Sequence, residues 1–432
     1  VIKKRILASL SSNFLGQVIT IFIQLVSIPI LISEWGTQYY GEWMALFALP
    51  SYIAMSDIGM GVVANTEINT LISNDNVGNA RKIFNQSFNL ILKIGIIPLF
   101  IFVMLVFVPS FFATLNIQSI SYQEFISTAI LLFLYGYWAL VISLPQGLYR
   151  SISLYARGQY ISNIFRVLEF GAFIISVLNG AGMFIAACIF LGTRILQSFF
   201  IYYDLKKLTS VIDFSLSHIN LSHIKHLIKP SLAMIGLSLG QNFLVQGMVI
   251  IINMTLGGAS VAVFTTIRTL CNFAKQLIGI INLAFWGEFT TAYAQKNLVL
   301  SKKLLSRAEQ MVWGVSLLST IFLYFAGEKI ISFWTKNQIF IEEPFYTLFL
   351  LTILFNSVWY VRYTFLLAIN QHSKLTLPYL LASIIVLIIS FIFVDGNGLW
   401  VSALSLLLID VLMAPLVFKT SFMVLKNNFL KP

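Results

Sequence analysis

Lys93, Arg166, Arg194, Arg268, Lys275 and Arg362 all stand inside long apolar stretches of this chain. A Lys or Arg near the centre of a bilayer costs about 2.5–3.5 kcal/mol even on a lenient insertion scale, so such residues meet partners, water or a ligand rather than lipid. Arg268 and Lys275 are seven residues apart and share one helix face, with no acid at helical spacing to neutralise them. Arg194 also lacks a local acid. Arg166 and Glu169, three apart, have the spacing of a structural pair. Lys93 lies near a cytoplasmic span end and can snorkel; Arg362 is also toward a cytoplasmic end, though Phe355 and Trp359 share its face, so snorkelling and a functional role both stay open. The opposing acids, Asp57, Glu169 and Asp410, are outnumbered, and a net cationic membrane interior suits an anionic ligand. Asp57 opens the run Asp57-Ile58-Gly59-Met60-Gly61, where two glycines permit a bend. Asp410 either pairs with a cation of another helix or carries a coupling ion.

Uncharged polar residues form a second pattern. Asn13, Gln17, Thr20, Gln24 and Ser27 step by four and three, and Ser238, Asn242, Gln246 and Asn253 by four, four and seven. Each set stacks on one helix face. Unsatisfied amides are costly in hydrocarbon, so two readings stay open: hydrogen bonding between helices, or the wall of a hydrated cavity.

The elements that carry these residues are membrane spans. Of 432 residues, 58% are hydrophobic and only 10% charged, and mean hydropathy is +0.88. A soluble domain carries about 25% charge, so soluble enzymes and nucleic-acid binders are excluded. Polar clusters cut the chain into about twelve spans, near 10–32, 43–65, 88–109, 125–148, 161–179 and 182–203, then 231–254, 261–285, 311–332, 345–369, 376–394 and 399–418. Apart from Lys329 and Lys336, the Lys and Arg outside the spans fall in loops that alternate to one side, so a net charge of +11 reports topology, with both termini cytoplasmic. Lys3-Lys4-Arg5 before the first span reads as the start of an uncleaved membrane segment. Cys188 and Cys271 sit inside spans as small apolar side chains, with no disulfide or zinc framework.

Residues 204–229 form a basic linker between a six-helix lobe at 1–203 and another at 230–432. Leu216, Ile219, Ile224, Leu227 and Ile228 give it an amphipathic face suited to the membrane interface. His218, His223 and His226 lack the further ligands a metal needs, so no metal or other cofactor is expected. The lobes read as copies. At one offset Gly36 falls on Gly257 and Arg81-Lys82 on Lys302-Lys303, while Leu15-Gly16-Gln17 resembles Leu239-Gly240-Gln241 and Ala156-Arg157-Gly158-Gln159 resembles Ala368-Ile369-Asn370-Gln371. Six spans per copy make the repeats parallel, and such a pair meets at a central cleft.

The basic start, the polar first span, the run from Asp57 to Gly61 and Asn79-Ala80-Arg81-Lys82 opening the third span resemble the Wzx-type polysaccharide flippases of the multidrug/oligosaccharidyl-lipid/polysaccharide exporter superfamily. The resemblance extends across the chain through the span count and repeat. It implies an all-helical membrane protein whose two six-helix lobes form a V-shaped central cavity in a bacterial inner membrane. It implies alternating-access transfer of an undecaprenyl-diphosphate-linked oligosaccharide, an O-antigen or capsule unit of lipopolysaccharide-type assembly, from the cytoplasmic to the periplasmic leaflet. Arg268 and Lys275 match the family's cavity cations by position; Arg166, Arg194 and Arg362 match only the tendency toward intramembrane cations. Asp57, Glu169, Asp410, Gln17, Gln24, Asn242 and Gln246 are the candidates for polar lining or for coupling to a proton or sodium ion. Membrane lipid, a polysaccharide polymerase and glycosyltransferases are the implied partners. In the related peptidoglycan-precursor flippases the first span tends to carry charge; here amides stand instead.

Two other functions fit the composition. A multidrug cation antiporter of the same superfamily wants clustered buried carboxylates, and these are scattered. A membrane polymerase or glycosyltransferase needs positioned acids or bases in a substantial loop, yet the longest outer loop, 110–124, holds Glu124 as its only charged side chain. No phosphate-binding glycine loop or catalytic triad pattern is present, so a non-enzyme is expected.

Overall fold

A computed structural model describes residues 2–54, 59–212 and 224–427. Asp57, Leu216, His218, Ile219, His223 and the side chain of Ser238 lie outside the described residues. All regular structure among those described is helical, as a chain that must satisfy its backbone polar groups inside a bilayer requires.

The first lobe contains α1 (Ile2–Ala48), α2 (Pro50–Ala54), α3 (Met60–Ser73), α4 (Val77–Val106), α5 (Pro109–Thr114), α6 (Tyr122–Ser151), α7 (Tyr155–Leu178) and α8 (Met183–Leu208). The chain continues with α9 (Lys225–Asn242), whose first part belongs to the first compact unit and whose end belongs to the second, then a π segment (Phe243–Gly247), α10 (Met248–Leu256), α11 (Gly258–Ala294), α12 (Leu298–Trp334), α13 (Phe345–Ala368), α14 (Ser373–Asn397) and α15 (Trp400–Asn427). Among the described residues, 10 helices are long and apolar enough to cross a membrane. Two expected spans are absent from that set for physical reasons. The second is broken into α2, α3 and the end of α1. The eighth, within α11, is diluted by Arg268, Asn272, Lys275, Gln276 and Asn282.

Residues with positive φ recur at nearly one spacing. Gly36 and Gly257 have φ of 75° and 82°, Asp75 and Lys296 58° and 52°, Asn116 and Asn337 53° and 61°, Ser153 and Asn370 62° and 57°, and Gly180 and Gly398 81° and 89°. Helix starts repeat as well. The Asn76 side chain accepts from the Asn79 N–H at 3.3 Å, and Asn297 accepts from the Leu300 N–H at 2.9 Å, two N-caps at matching places. Gly36 and Gly257 each combine positive φ with an extended ψ, 167° and 176°, a region that is essentially restricted to glycine. The repeat is thus written into the backbone breaks.

The chain divides into two compact units, 1–36 with 42–235, and 37–41 with 236–432. In the first, α6 packs on α2, α3, α4 and α8, and α7 lies on α8. Its core includes Ala64, Ile68, Phe84, Leu144 and Leu148, and Val211, Ile224 and Leu227 are buried in the same cluster. Of the residues expected on the membrane-interface face, Ile224 and Leu227 are buried in this core instead and Ile228 packs against it. In the second unit α13 lies between α11, α12 and α15, while α14 packs on α10 and α15.

Candidate functional site

Within the second unit, α9, the π segment, α11, α13, α14 and α15 line a half-open cavity of about 390 Å³. From α11, Arg268, Asn272, Lys275 and Gly279 line it, stepping by four, three and four along one face. Thr352, Asn356 and Tyr360 of α13 face them, with Gln241, Tyr379 and Asp410 completing the polar wall. Arg268 and Lys275 are thus brought together as their spacing predicts.

The two cations have neutral partners. Arg268 Nη1 donates to the Val245 carbonyl at 3.1 Å, and its guanidinium lies 5.4 Å from the Phe264 ring centre. Lys275 Nζ donates to Thr352 Oγ1 at 3.3 Å. No carboxylate oxygen lies within 4.0 Å of either among the described residues. Asp410, only 4% exposed, accepts on Oδ1 from Asn356 Nδ2 at 2.9 Å and from Trp359 Nε1 at 3.0 Å. Two cations against one anion leave this wall net positive.

A π segment interrupts the polar stripe of the seventh expected span. A turn with i→i+5 bonding takes in an extra residue and rotates the helix beyond it, so a stripe counted at helical period loses register there. Gln241 lines the cavity, while Asn242 and Gln246 do not appear on its wall. Val245, the acceptor for Arg268, belongs to this segment.

The other expected cavity cations are placed differently. Arg194 Nη2 donates to Tyr135 Oη at 2.7 Å and Nη1 to Gln197 Oε1 at 3.0 Å, with Glu169 Oε2 3.9 Å away. Thr193 Oγ1 donates to the same Glu169 oxygen at 3.0 Å. The acid sits on α7 and the guanidinium on α8, which is why Arg194 looks solitary along its own helix. Glu169 therefore pairs with Arg194 rather than with Arg166. Arg166 reaches α1, where it donates to Thr20 Oγ1 at 2.9 Å. Arg362 also has an acid: its Nε stands 2.6 Å from Glu309 Oε1 on α12, and the guanidinium lies 4.2 Å from the Phe418 ring centre. Arg362 thus forms an ion pair between α12 and α13.

The polar face of α1 is partly a helix–helix seam. Asn163 Nδ2 of α7 donates to the Ser12 carbonyl at 3.0 Å, and Tyr155 Oη donates to Asn13 Oδ1 at 3.0 Å. Gln17 remains exposed and Gln24 is half-buried. Sequence reasoning missed Glu42, buried at the extracytoplasmic end expected of α1, whose carboxylate accepts the Gln118 and Ser119 N–H groups at 3.0 Å each. It also missed Asp204, which accepts from Tyr149 Oη at 2.7 Å and Arg157 Nε at 2.9 Å. Both acids stand at expected span edges, where a charge needs no explanation. Among the described residues no group of His, Cys, Asp and Glu could hold a metal; His226 stands 3.9 Å from Glu67 instead.

No family model matches the chain, and no curated protein matches it in sequence. Solved structures do. An inward-facing multidrug resistance MATE family transporter of the MOP superfamily is 17% identical with a TM-score of 0.73, the match covering 94% of this chain and 98% of that one. An outward-facing multidrug resistance MATE family transporter is 17% identical with a TM-score of 0.62, covering 99% and 96%. A MOP superfamily transporter from Pyrococcus furiosus, described as having a binding pocket of reverse polarity that suggests a different function, is 18% identical with a TM-score of 0.57, covering 98% and 94%. With the helix order, the backbone repeat and the apolar spans, these likenesses establish that the chain is a multi-pass membrane protein with the fold of the MOP-superfamily transporters.

Proposed function

We propose that this chain carries an anionic, lipid-linked saccharide across the bacterial inner membrane, an undecaprenyl-diphosphate-linked oligosaccharide moving from the cytoplasmic to the periplasmic leaflet by alternating access. The observation that carries this reading is the wall of the second-unit cavity, where Arg268 and Lys275 meet without a carboxylate within 4.0 Å among the described residues. A diphosphate cannot enter hydrocarbon uncompensated. A guanidinium offers it a two-pronged contact and an ammonium a point charge, at positions where both already hold only neutral acceptors. Each negative charge leaving a negative-inside cell gains about 2.3 kcal/mol per 100 mV. Asp410, on the same wall, is the candidate carrier of a coupling proton or sodium ion. The basic loops support the orientation, with both termini cytoplasmic.

Arg268→Glu abolishes display of surface polysaccharide in a strain making normal amounts of the protein; unchanged display overturns the reading. A second reading, export of cationic compounds, draws on the multidrug transporters among the fold neighbours. In that case the deletion strain becomes sensitive to cationic drugs while its surface polysaccharide is intact.

A further inference from the structure

The first unit holds a polar cavity of its own, of about 290 Å³, between α3, α6 and α7. Its wall carries the side-chain amides of Asn65, Asn69, Gln146 and Gln159 with one guanidinium, Arg150, and no carboxylate or lysine. Amides offer donors and acceptors side by side, the complement of adjacent sugar hydroxyls, which also give and accept. A lone cation with so many amides suits neither a metal ion nor a bare diphosphate.

Asn65 is the most constrained of these. It is 8% exposed, and its Nδ2 donates to the Gly61 carbonyl at 2.8 Å and the Leu144 carbonyl at 3.2 Å. Its Oδ1 is buried with no hydrogen-bond partner among the described residues. Gly147 makes room for this amide, since a Cβ there would come within 2.0 Å of Asn65 Nδ2. Gln146 Nε2 donates to Ser162 Oγ at 2.5 Å, and Arg150 lies over the Tyr155 ring at 5.1 Å. The cavity adjoins the α6–α7 turn, which Arg150 and Tyr155 flank, in a loop that the basic-residue distribution assigns to the cytoplasm.

We infer that this cavity is a saccharide-binding subsite at the cytoplasmic end of the first lobe, taking a hydroxyl-rich pyranose of the cargo headgroup. The inference rests on the proposed function.

The test uses the full chain in lipid nanodiscs and three probes: undecaprenyl diphosphate, undecaprenyl-diphosphate-linked N-acetylglucosamine, and free N-acetylglucosamine. The Asn69→Leu/Gln159→Leu double variant removes amides that do not hold the fold, and Gly147→Ala displaces Asn65. Each is expected to weaken the glycosylated lipid about tenfold, the size of one or two lost hydrogen bonds, and to leave the bare diphosphate within about twofold. Equal weakening of both lipids, or none in the double variant with wild-type melting temperature, overturns the subsite. So does wild-type chain that binds both lipids equally while Arg268→Glu loses both, an outcome that keeps the proposed function. Wild-type chain that binds neither lipid removes both. Free sugar binding as tightly as the lipid-linked form assigns the cavity to a soluble saccharide and overturns its place in cargo recognition.

Discussion

Two arginine environments in the same chain are built alike and resolved differently. Arg194 in the first unit and Arg268 in the second each lie in a helix of the lipid phase, near an aromatic ring, with centres 4.9 Å and 5.4 Å away. Arg194 has a carboxylate from the neighbouring helix, a phenol and an amide around it. Arg268 has one carbonyl, and the acid of its cavity, Asp410, is tied to Asn356 and Trp359. The first arrangement is closed, its charge spent on holding α6, α7 and α8 together. The second leaves Arg268 with no carboxylate within 4.0 Å among the described residues, the feature on which the proposed anion site rests. Arg362 with Glu309 shows that the second unit can close a pair where it has one, so the open state at Arg268 belongs to that cavity rather than to the lobe.

The contrast breaks most visibly in stability. Glu169→Gln strips Arg194 of its only nearby charge partner among the described residues and is expected to cost about 3 kcal/mol, whereas Arg268→Gln costs less than about 1 kcal/mol. Thermal unfolding in detergent reads both, and equal losses would erase the distinction. A smaller effect tests whether the lobes are equivalent in backbone: Gly36→Ala and Gly257→Ala each force a side chain into a glycine-only region and are expected to cost about 2 kcal/mol apiece. One costing far more than the other would show that the repeat is not energetically symmetric. The smallest effect sharpens the role of Asp410. Its protonation raises the positive charge of the wall, so by linkage diphosphate binding strengthens as pH falls through its titration, by about tenfold at most. Asp410→Asn removes that dependence, and a titration of undecaprenyl diphosphate affinity against pH in nanodiscs decides it.

Pairing is the property least visible along the chain. Arg166 and Glu169 have the spacing of an ion pair, yet Glu169 turns to Arg194 because α7 and α8 lie side by side. The stripe through Asn242 and Gln246 presumes an unbroken α-helix, and the π segment at 243–247 inserts a residue that no composition signal marks. The α1 stripe is a polar face, as its spacing predicts, but its Asn13 and Thr20 serve α7. Arg268 and Lys275, by contrast, are legible as a unit: seven residues on one uninterrupted helix fix a common face without help from any neighbour.

Residue order alone dictates that the chain crosses the membrane many times, where most of the crossings begin and end, and that the second half repeats the first. Those properties are local: a run of apolar residues must bury its backbone in helix whatever surrounds it, and a glycine at a break needs its own φ whichever helix comes after it. Only the packing of helices against one another sets which buried charges are spent and which are kept. Opposite charges meet across helices dozens of residues apart, and at contact distance a shift of a few ångströms separates an ion pair from a cation that is still open to a ligand.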